Sequence, residues 1–469
     1  MTKTKSNQTN KTNYVSTTNA CKLCKPLGAC IAFRGIENCV PYLHGSQGCA
    51  TYMRRYIISH FREPIDIASS SLSEKHAVYG GGPNLKKGIL NVMEKYEAKM
   101  VGIATTCLTE TIGDDVPQFL YEFNEEFGDQ GLPTLVNVAT PSYSGTHMEG
   151  FHATVKAVID QLVGKTDMNT IAIAPKTIIP NVNIIPGLVS PEDLRHLRDI
   201  LEDFGIAGTI LPDYSDTLDA PATDEYAKIP EGGTPVADIA QMHQAKATLE
   251  FGRVLAATGN TGGELLRDRH SVPHYALGLP IGLRECDRFF ATLETTTGQP
   301  TPRKYTQRRG RLVDAYVDGH KYIFGKKAVV YGEEDLCVAI TAFLAEIGVK
   351  PVLCASGGKS GHFQEAITAV TQELLREPPL VKEGFDFYEI AEEIEQLQPD
   401  LLIGTSKGYP LARKLQIPLL RVGFPIHDRF GGQRTLHLGY QGTQRLYDQL
   451  VNAVLEKKQA DSPVGYGYL

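Results

Sequence analysis

The chain has 469 residues, 42% of them hydrophobic and 22% charged, the balance of a globular protein too long for a single core. A formal charge of −7 argues against a general nucleic-acid surface, and no apolar run approaches the ~20 residues that cross a bilayer. The polar start, rich in Asn, Thr and Lys, lacks the apolar core of a secretory signal, so residues 1–20 are expected to form a disordered tail on a cytoplasmic protein.

Strand, loop and helix patterns then alternate to the end of the chain. In residues 21–165, a helix follows Gly80-Gly81-Gly82-Pro83-Asn84, Lys99 to Ala104 reads as a buried strand, and Asp115 to Glu126 as the next helix. Leu132 to Val138 is a further strand and runs into Thr140-Pro141-Ser142-Tyr143. In residues 166–323, Ser190-Pro191-Glu192-Asp193 supplies an N-cap, a proline at the first helical position and early carboxylates for a helix reaching Phe204. Gly208 to Leu211 and Val254 to Ala257 are the strands expected beyond it, with a helix from Thr261 to Asp268. In residues 324–469, strands are expected at Ala328 to Tyr331, Pro351 to Ala355, Leu401 to Thr405 and Pro418 to Val422, and Gly442 to Glu456 as a closing amphipathic helix. The pattern predicts three doubly wound α/β domains, each a parallel sheet flanked by helices.

Nine cysteines are too few for a disulfide framework. Three of them sit in small-residue or glycine-rich contexts: Cys24-Lys25-Pro26-Leu27-Gly28-Ala29, His44-Gly45-Ser46-Gln47-Gly48-Cys49 and Thr105-Thr106-Cys107. Glycine would let the backbone approach a bulky cluster and leave amides free for its sulfides. Lying 25 and 58 residues apart, the three do not form the close pairs of a zinc site. They suit an iron–sulfur site assembled from three loops, with Cys107 at the carboxyl end of a strand, where sites form in open sheets. Cys21 pairs with Cys24 as Cys-x-x-Cys, but no second pair completes a zinc site. Cys30, Cys39, Cys286, Cys337 and Cys354 read as small buried hydrophobes.

Other motifs carry blander readings. Met53-Arg54-Arg55-Tyr56 to His60-Phe61-Arg62-Glu63-Pro64 is a solvated helix face or a basic docking surface. Gly357-Gly358-Lys359-Ser360 mimics the end of a P-loop, but Leu353 stands where that motif needs glycine, so ATP hydrolysis is not expected. Glu110, Asp114 and Asp115 read as helix caps. The charged loop Arg421 to Arg429 suits an interface or a structural ion pair. Cys286 with His427 or His437 could be offered as a second cofactor pair, although packed residues are the better reading.

The three cysteine motifs, His60-Phe61-Arg62-Glu63-Pro64, Ile112-Gly113-Asp114-Asp115, Thr140-Pro141-Ser142 and Gly423-Phe424-Pro425 together resemble the β-type subunits of nitrogenase component 1. The motifs run from the first domain to the last. The resemblance implies an interface iron–sulfur cluster with Cys24, Cys49 and Cys107 as ligands, and Ser142 matches a serine that can approach it. It also implies an α-type partner in an α2β2 heterotetramer and transient docking of an ATP-dependent iron protein, with no nucleic acid and no membrane.

Two branches of the family fit. Gly423 to Arg434, Gly439-Tyr440-Gln441-Gly442-Thr443 and Cys21 to Gly28 look more like NifN. That branch is the scaffold subunit of iron–molybdenum cofactor biosynthesis, which pairs with a NifE-like subunit around a [4Fe-4S] cluster needing only Cys49 from this side. The scaffold is therefore the favoured expectation. Cys24 and Cys107 also suit the other branch, a catalytic β subunit or nitrogenase-like reductase relaying electrons through an [8Fe-7S] P-cluster.

Overall fold

The computed structural model describes residues 19–165, 181–225 and 227–465. Most of the expected tail lies outside them. Its last two residues are held: Asn19 donates to the Lys407 carbonyl (3.2 Å), Lys407 Nζ donates to the Ala20 carbonyl (2.8 Å), and Ala20 bridges Asp386.

Three parallel sheets carry the chain. Strands β1 (Cys39–His44), β2 (Ala68–Ser69), β3 (Met100–Thr105) and β4 (Thr134–Val138) form the first, in the order β2-β1-β3-β4. The second contains β5 (Val182–Ile185), β6 (Gly208–Ile210), β7 (Ala247–Phe251) and β8 (His274–Leu277), in the order β6-β5-β7-β8. The third contains β9 (Lys327–Gly332), β10 (Lys350–Ser356), β11 (Leu380–Glu383), β12 (Leu401–Gly404) and β13 (Leu419–Arg421), in the order β11-β10-β9-β12-β13. Every residue of β1, β3, β5, β7 and β12 is buried, as expected where helices cover both faces of a sheet.

One expected strand is wrong. Val254 to Ala257 lies in a short helix (Arg253–Ala257), and the strand is β7, seven residues earlier. Glu250 interrupts the apolar run of β7, yet it is buried and satisfied there by the Thr261 hydroxyl and the Gly263 amide. Sequence polarity alone thus pointed past the strand. By contrast, Ser190 accepts from the Asp193 amide and Pro191 opens the helix Pro191–Asp203, as anticipated.

Among the helices around the first sheet, four position the cysteines and Ser142: α1 (Lys25–Arg34), α2 (Gln47–Phe61), α3 (Cys107–Ile112) and α4 (His147–Leu162). Helices α1 and α4 touch backbone to backbone. A Cβ on Gly28 would overlap the His147 carbonyl oxygen and lie 2.7 Å from the Phe151 nitrogen, and one on Gly150 would overlap the Lys25 carbonyl oxygen. The His147 amide also donates to the Leu23 carbonyl (3.0 Å). Only glycine permits that approach at both positions.

Gly28→Ala should therefore destabilise the protein by about 3 kcal/mol, the upper range for forcing a methyl into a packed site. Gly310→Ala is the opposite case: the site is exposed in mid-helix and nothing lies within 4 Å, so about 0.5–1 kcal/mol of stabilisation is expected. Paired calorimetric unfolding of the two variants checks both signs.

Candidate metal centre

The first sheet reverses its strand order between β1 and β3, which opens a crevice at their carboxyl ends. His44, the last residue of β1, pairs with Thr105, the last of β3. Helix α2 follows β1 through Gly45 and Ser46, and α3 follows β3 through Thr106. Cys49 lies in the first turn of α2, Cys107 opens α3, and Cys24 is the N-cap of α1. All three thus occupy helix starts rather than the tips of tight turns. Gly28 and Gly45 allow protein elements to approach each other: a Cβ on Gly45 would overlap the Thr106 side chain. Of the three glycines in these motifs, only Gly48 faces open space, with Ser46 Oγ at 3.8 Å its sole neighbour.

Ser142, just after β4, joins the set. Its amide donates to Cys107 Sγ (3.2 Å), its hydroxyl oxygen accepts from the Lys25 amide (3.2 Å), and its side chain hydrogen-bonds Cys24. The loop is held there because Thr140 bonds Thr105 twice, through its amide (2.8 Å) and its hydroxyl (2.6 Å). Ser46 Oγ reaches Cys49 Sγ at 3.5 Å.

Electrostatics describe a crowded group of thiols. Burial pushes the Cys24 thiol up, Cys107 and Cys49 push it the same way, and Ser142 and Lys407 pull it down. Cys24 and Cys49 are half-buried and Cys107 is exposed, so the group forms an open edge. Among the described residues, no three His, Cys, Asp or Glu side chains converge as a set for one metal ion. Separate thiols at an edge, repelling one another once ionised, fit a larger cationic group that bridges them. Two neighbours escaped the sequence reading. Tyr52, one turn after Cys49 and 40% exposed, is close enough for Cys24 to push its phenol up, although burial does most of that. Lys407 arrives from beyond β12, and its distance along the chain hid it.

The remaining candidates resolve into structural roles. Cys21 packs against the third sheet, and burial pushes it up to about 12. Cys30, Cys39, Cys286, Cys337 and Cys354 are buried. Cys286 donates to the Pro280 carbonyl, and His437 faces Asp193; neither His437 nor His427 bonds Cys286. In the basic run Arg54 and Arg55 are exposed, but His60 and Phe61 are buried, with His60 Nδ1 accepting from the Ile426 amide (2.9 Å). Amides around Gly357 to Gly361 are taken by Glu334, Glu383 and Ser356, leaving no phosphate cradle. Arg421 pairs bidentately with Asp428. Asp115 caps its helix as expected, whereas Asp114 instead accepts from His44 and from the Gly81 amide.

A cavity of about 640 Å³ adjoins the thiol edge through Lys25 and Ser144; the carboxyl ends of strands from the first and third sheets open into it, and the helix Arg253–Ala257 after β7 lines its side. Glu333 and Glu334 stand in its wall, at the start of the helix Glu334–Glu346. Burial, reinforced by Asp335, pushes Glu333 up to about 8, and burial pushes Glu334 up to about 7. Burial drives His60 down to about 3 and His147 to about 4.

The family model for nitrogenase component 1 type oxidoreductases matches residues 24–455. The nitrogenase molybdenum-iron protein beta chain of Clostridium pasteurianum is 34% identical over 439 residues, 94% of this chain and 93% of that protein. The nitrogenase iron-molybdenum cofactor biosynthesis protein NifN of Bradyrhizobium diazoefficiens is 33% identical over 448 residues, 95% and 91% of the two chains. The solved structure of nitrogenase Cp1 at pH 6.5 superposes with a TM-score of 0.91 at 33% identity, covering 98% of both chains.

The shifted groups set the pH dependence of stability. A carboxyl raised in the fold lends stability that is complete below about 4.5 and is lost as the pH climbs through 7 to 8. The depressed histidines act oppositely: their contribution is complete above 6.5 and is lost as the pH falls toward 4 and 3. Glu333→Gln, an isostere of the protonated acid, should therefore shrink the fall in unfolding temperature between pH 6 and about 8.5. An unchanged fall would assign the alkaline loss elsewhere.

Proposed function

The chain belongs to the nitrogenase component 1 type oxidoreductases, and from that premise we propose that it is the β-type subunit of an electron-relaying reductase. In this reading Cys24, Cys49 and Cys107 hold an iron–sulfur cluster at the interface with an α-type partner, in an α2β2 assembly to which an ATP-dependent iron protein docks transiently. The observation that supports it is the gathering of all three thiols with Ser142 at one open edge. A cluster confined to Cys49 would leave the Ser142 link between Cys24 and Cys107 without a purpose.

When bound, such a cluster supplies one-electron transfer at a potential set by its thiolates and surroundings. The chain's own residues do the rest. Ser142 orients Cys24 and Cys107 through its hydroxyl and amide, and Lys407 offsets negative charge beside Cys24. Cys24 and Cys49 are half-buried, which limits solvent access around them compared with the exposed Cys107. The exposed side at Cys107 leaves the position that a second chain completes. A family of this breadth also includes scaffolds, and the NifN relative together with the motif Gly423 to Arg434 favours a second reading. There the chain would pair with a NifE-like subunit, hold a [4Fe-4S] cluster through Cys49 and support maturation of the cofactor precursor.

Cys49→Ala, Cys24→Ala and Cys107→Ala should each lower the iron content of the anaerobically purified complex, and wild type should turn over substrate with the iron protein, ATP and reductant. Iron loss confined to Cys49→Ala, with no turnover, would transfer the assignment to the scaffold. Unchanged iron in Cys49→Ala would overturn both.

A further inference from the structure

A buried relay of side chains joins the segments that carry Cys49 and Cys107, pairing His44 and Asp114 from two motifs 70 residues apart. His44 is fully buried. Its Nε2 lies 3.0 Å from Asp114 Oδ2, and its Nδ1 lies 3.0 Å from Ser70 Oγ. A carboxylate only accepts, so Nε2 carries the proton and donates to Asp114, and Nδ1 accepts from the Ser70 hydroxyl. Burial lowers the proton affinity of the ring, although Asp114 opposes it.

Both ends of the relay are anchored in backbone. Ser70 Oγ accepts from the Gly45 amide (2.8 Å), four residues before Cys49. Asp114 accepts from the Gly81 amide (3.1 Å), where a Cβ would lie 2.5 Å from Asp114 Oδ2 and 2.8 Å from His44 Cε1. The His44 carbonyl accepts from the Thr106 amide (3.2 Å) and the Thr109 hydroxyl (3.0 Å) on either side of Cys107. The His44 backbone thus holds the start of the Cys107 helix, while its side chain links Ser70, bonded to the Gly45 amide ahead of Cys49, to Asp114, just beyond that helix.

Resting on the cluster reading above, we propose that His44, locked between Ser70 and Asp114, is the positioning residue that fixes Cys49 relative to Cys107. It touches no ligand sulfur; it acts through the two backbone segments that carry them. Groups of this kind orient ligands, and their loss weakens metal retention while changing the properties of the bound group. Ser, His and Asp here form no hydrolytic site, because Ser70 and His44 are both buried away from any substrate.

The test uses the anaerobic complex with its α-type partner. Two quantities are read: the rate of iron extraction by a ferrous chelator and the midpoint potential of the cluster. His44→Ala and Asp114→Ala should each speed extraction about tenfold or more and shift the potential, with the double variant no worse than either single change. Asp114→Asn keeps an acceptor for Nε2–H and should stay within about twofold of wild type. Wild-type extraction and potential in His44→Ala, or effects that add in the double variant, would overturn the proposal. If His44→Ala yields no complex, Asp114→Asn behaving like Asp114→Ala overturns it just as directly. Cys49→Ala, run alongside, separates the failures: retained iron there defeats the cluster reading, whereas stripped iron with an unaffected His44→Ala defeats only the positioning role.

Discussion

The backbone contact between helices α1 and α4 is the constraint on which the thiol edge depends. With Gly28 against the His147 carbonyl and Gly150 against the Lys25 carbonyl, the two helices meet backbone to backbone at these positions. That closeness sets Cys24, at the start of α1, beside the loop that leads into α4. Ser142 on that loop can then accept from the Lys25 amide and donate to Cys107 in the same stroke. Packing at the interface of two helices thus places Cys24 beside the Ser142 loop.

Topology supplies the other half of the arrangement. Parallel strands deliver their carboxyl ends to one side of a sheet, and a reversal of strand order leaves a gap between neighbouring loops. The first sheet fills that gap with the helix starts that carry Cys49 and Cys107, while strands of the first and third sheets aim their ends at the cavity beside it. Acidic residues at the start of the helix Glu334–Glu346 are held there by helix and loop amides despite their burial. The result is a stiff wall behind the edge that a partner chain would meet.

Much of this was legible in the sequence. Fully buried parallel strands such as Met100 to Thr105 announce themselves as unbroken apolar runs, and Ser190 or Asp115 mark helix starts because caps are local chemistry. Local motifs marked the cysteine triplet, the resemblance marked Ser142, and the structure brings the four to one edge. What escaped depends on distance along the chain. Lys407 reaches the Cys24 region from the third sheet, and His44 meets Asp114 across 70 residues. The glycine-rich contexts serve another purpose than the one their sequence suggests: Gly28 and Gly45 make room for neighbouring protein rather than for a cluster. The strand at Ala247 to Phe251 was missed because a buried, fully partnered Glu250 looks like a surface residue until its partners are known.

Mössbauer spectroscopy of the iron-57-labelled complex of this chain with its α-type partner, prepared without upstream cofactor assembly, tests the central claim most directly. Withholding the precursor leaves only the interface cluster in the spectrum. Three thiols acting as one ligand group predict an eight-iron cluster whose signal collapses in Cys24→Ala and Cys107→Ala. A four-iron cubane that persists unchanged in both variants would contradict the account.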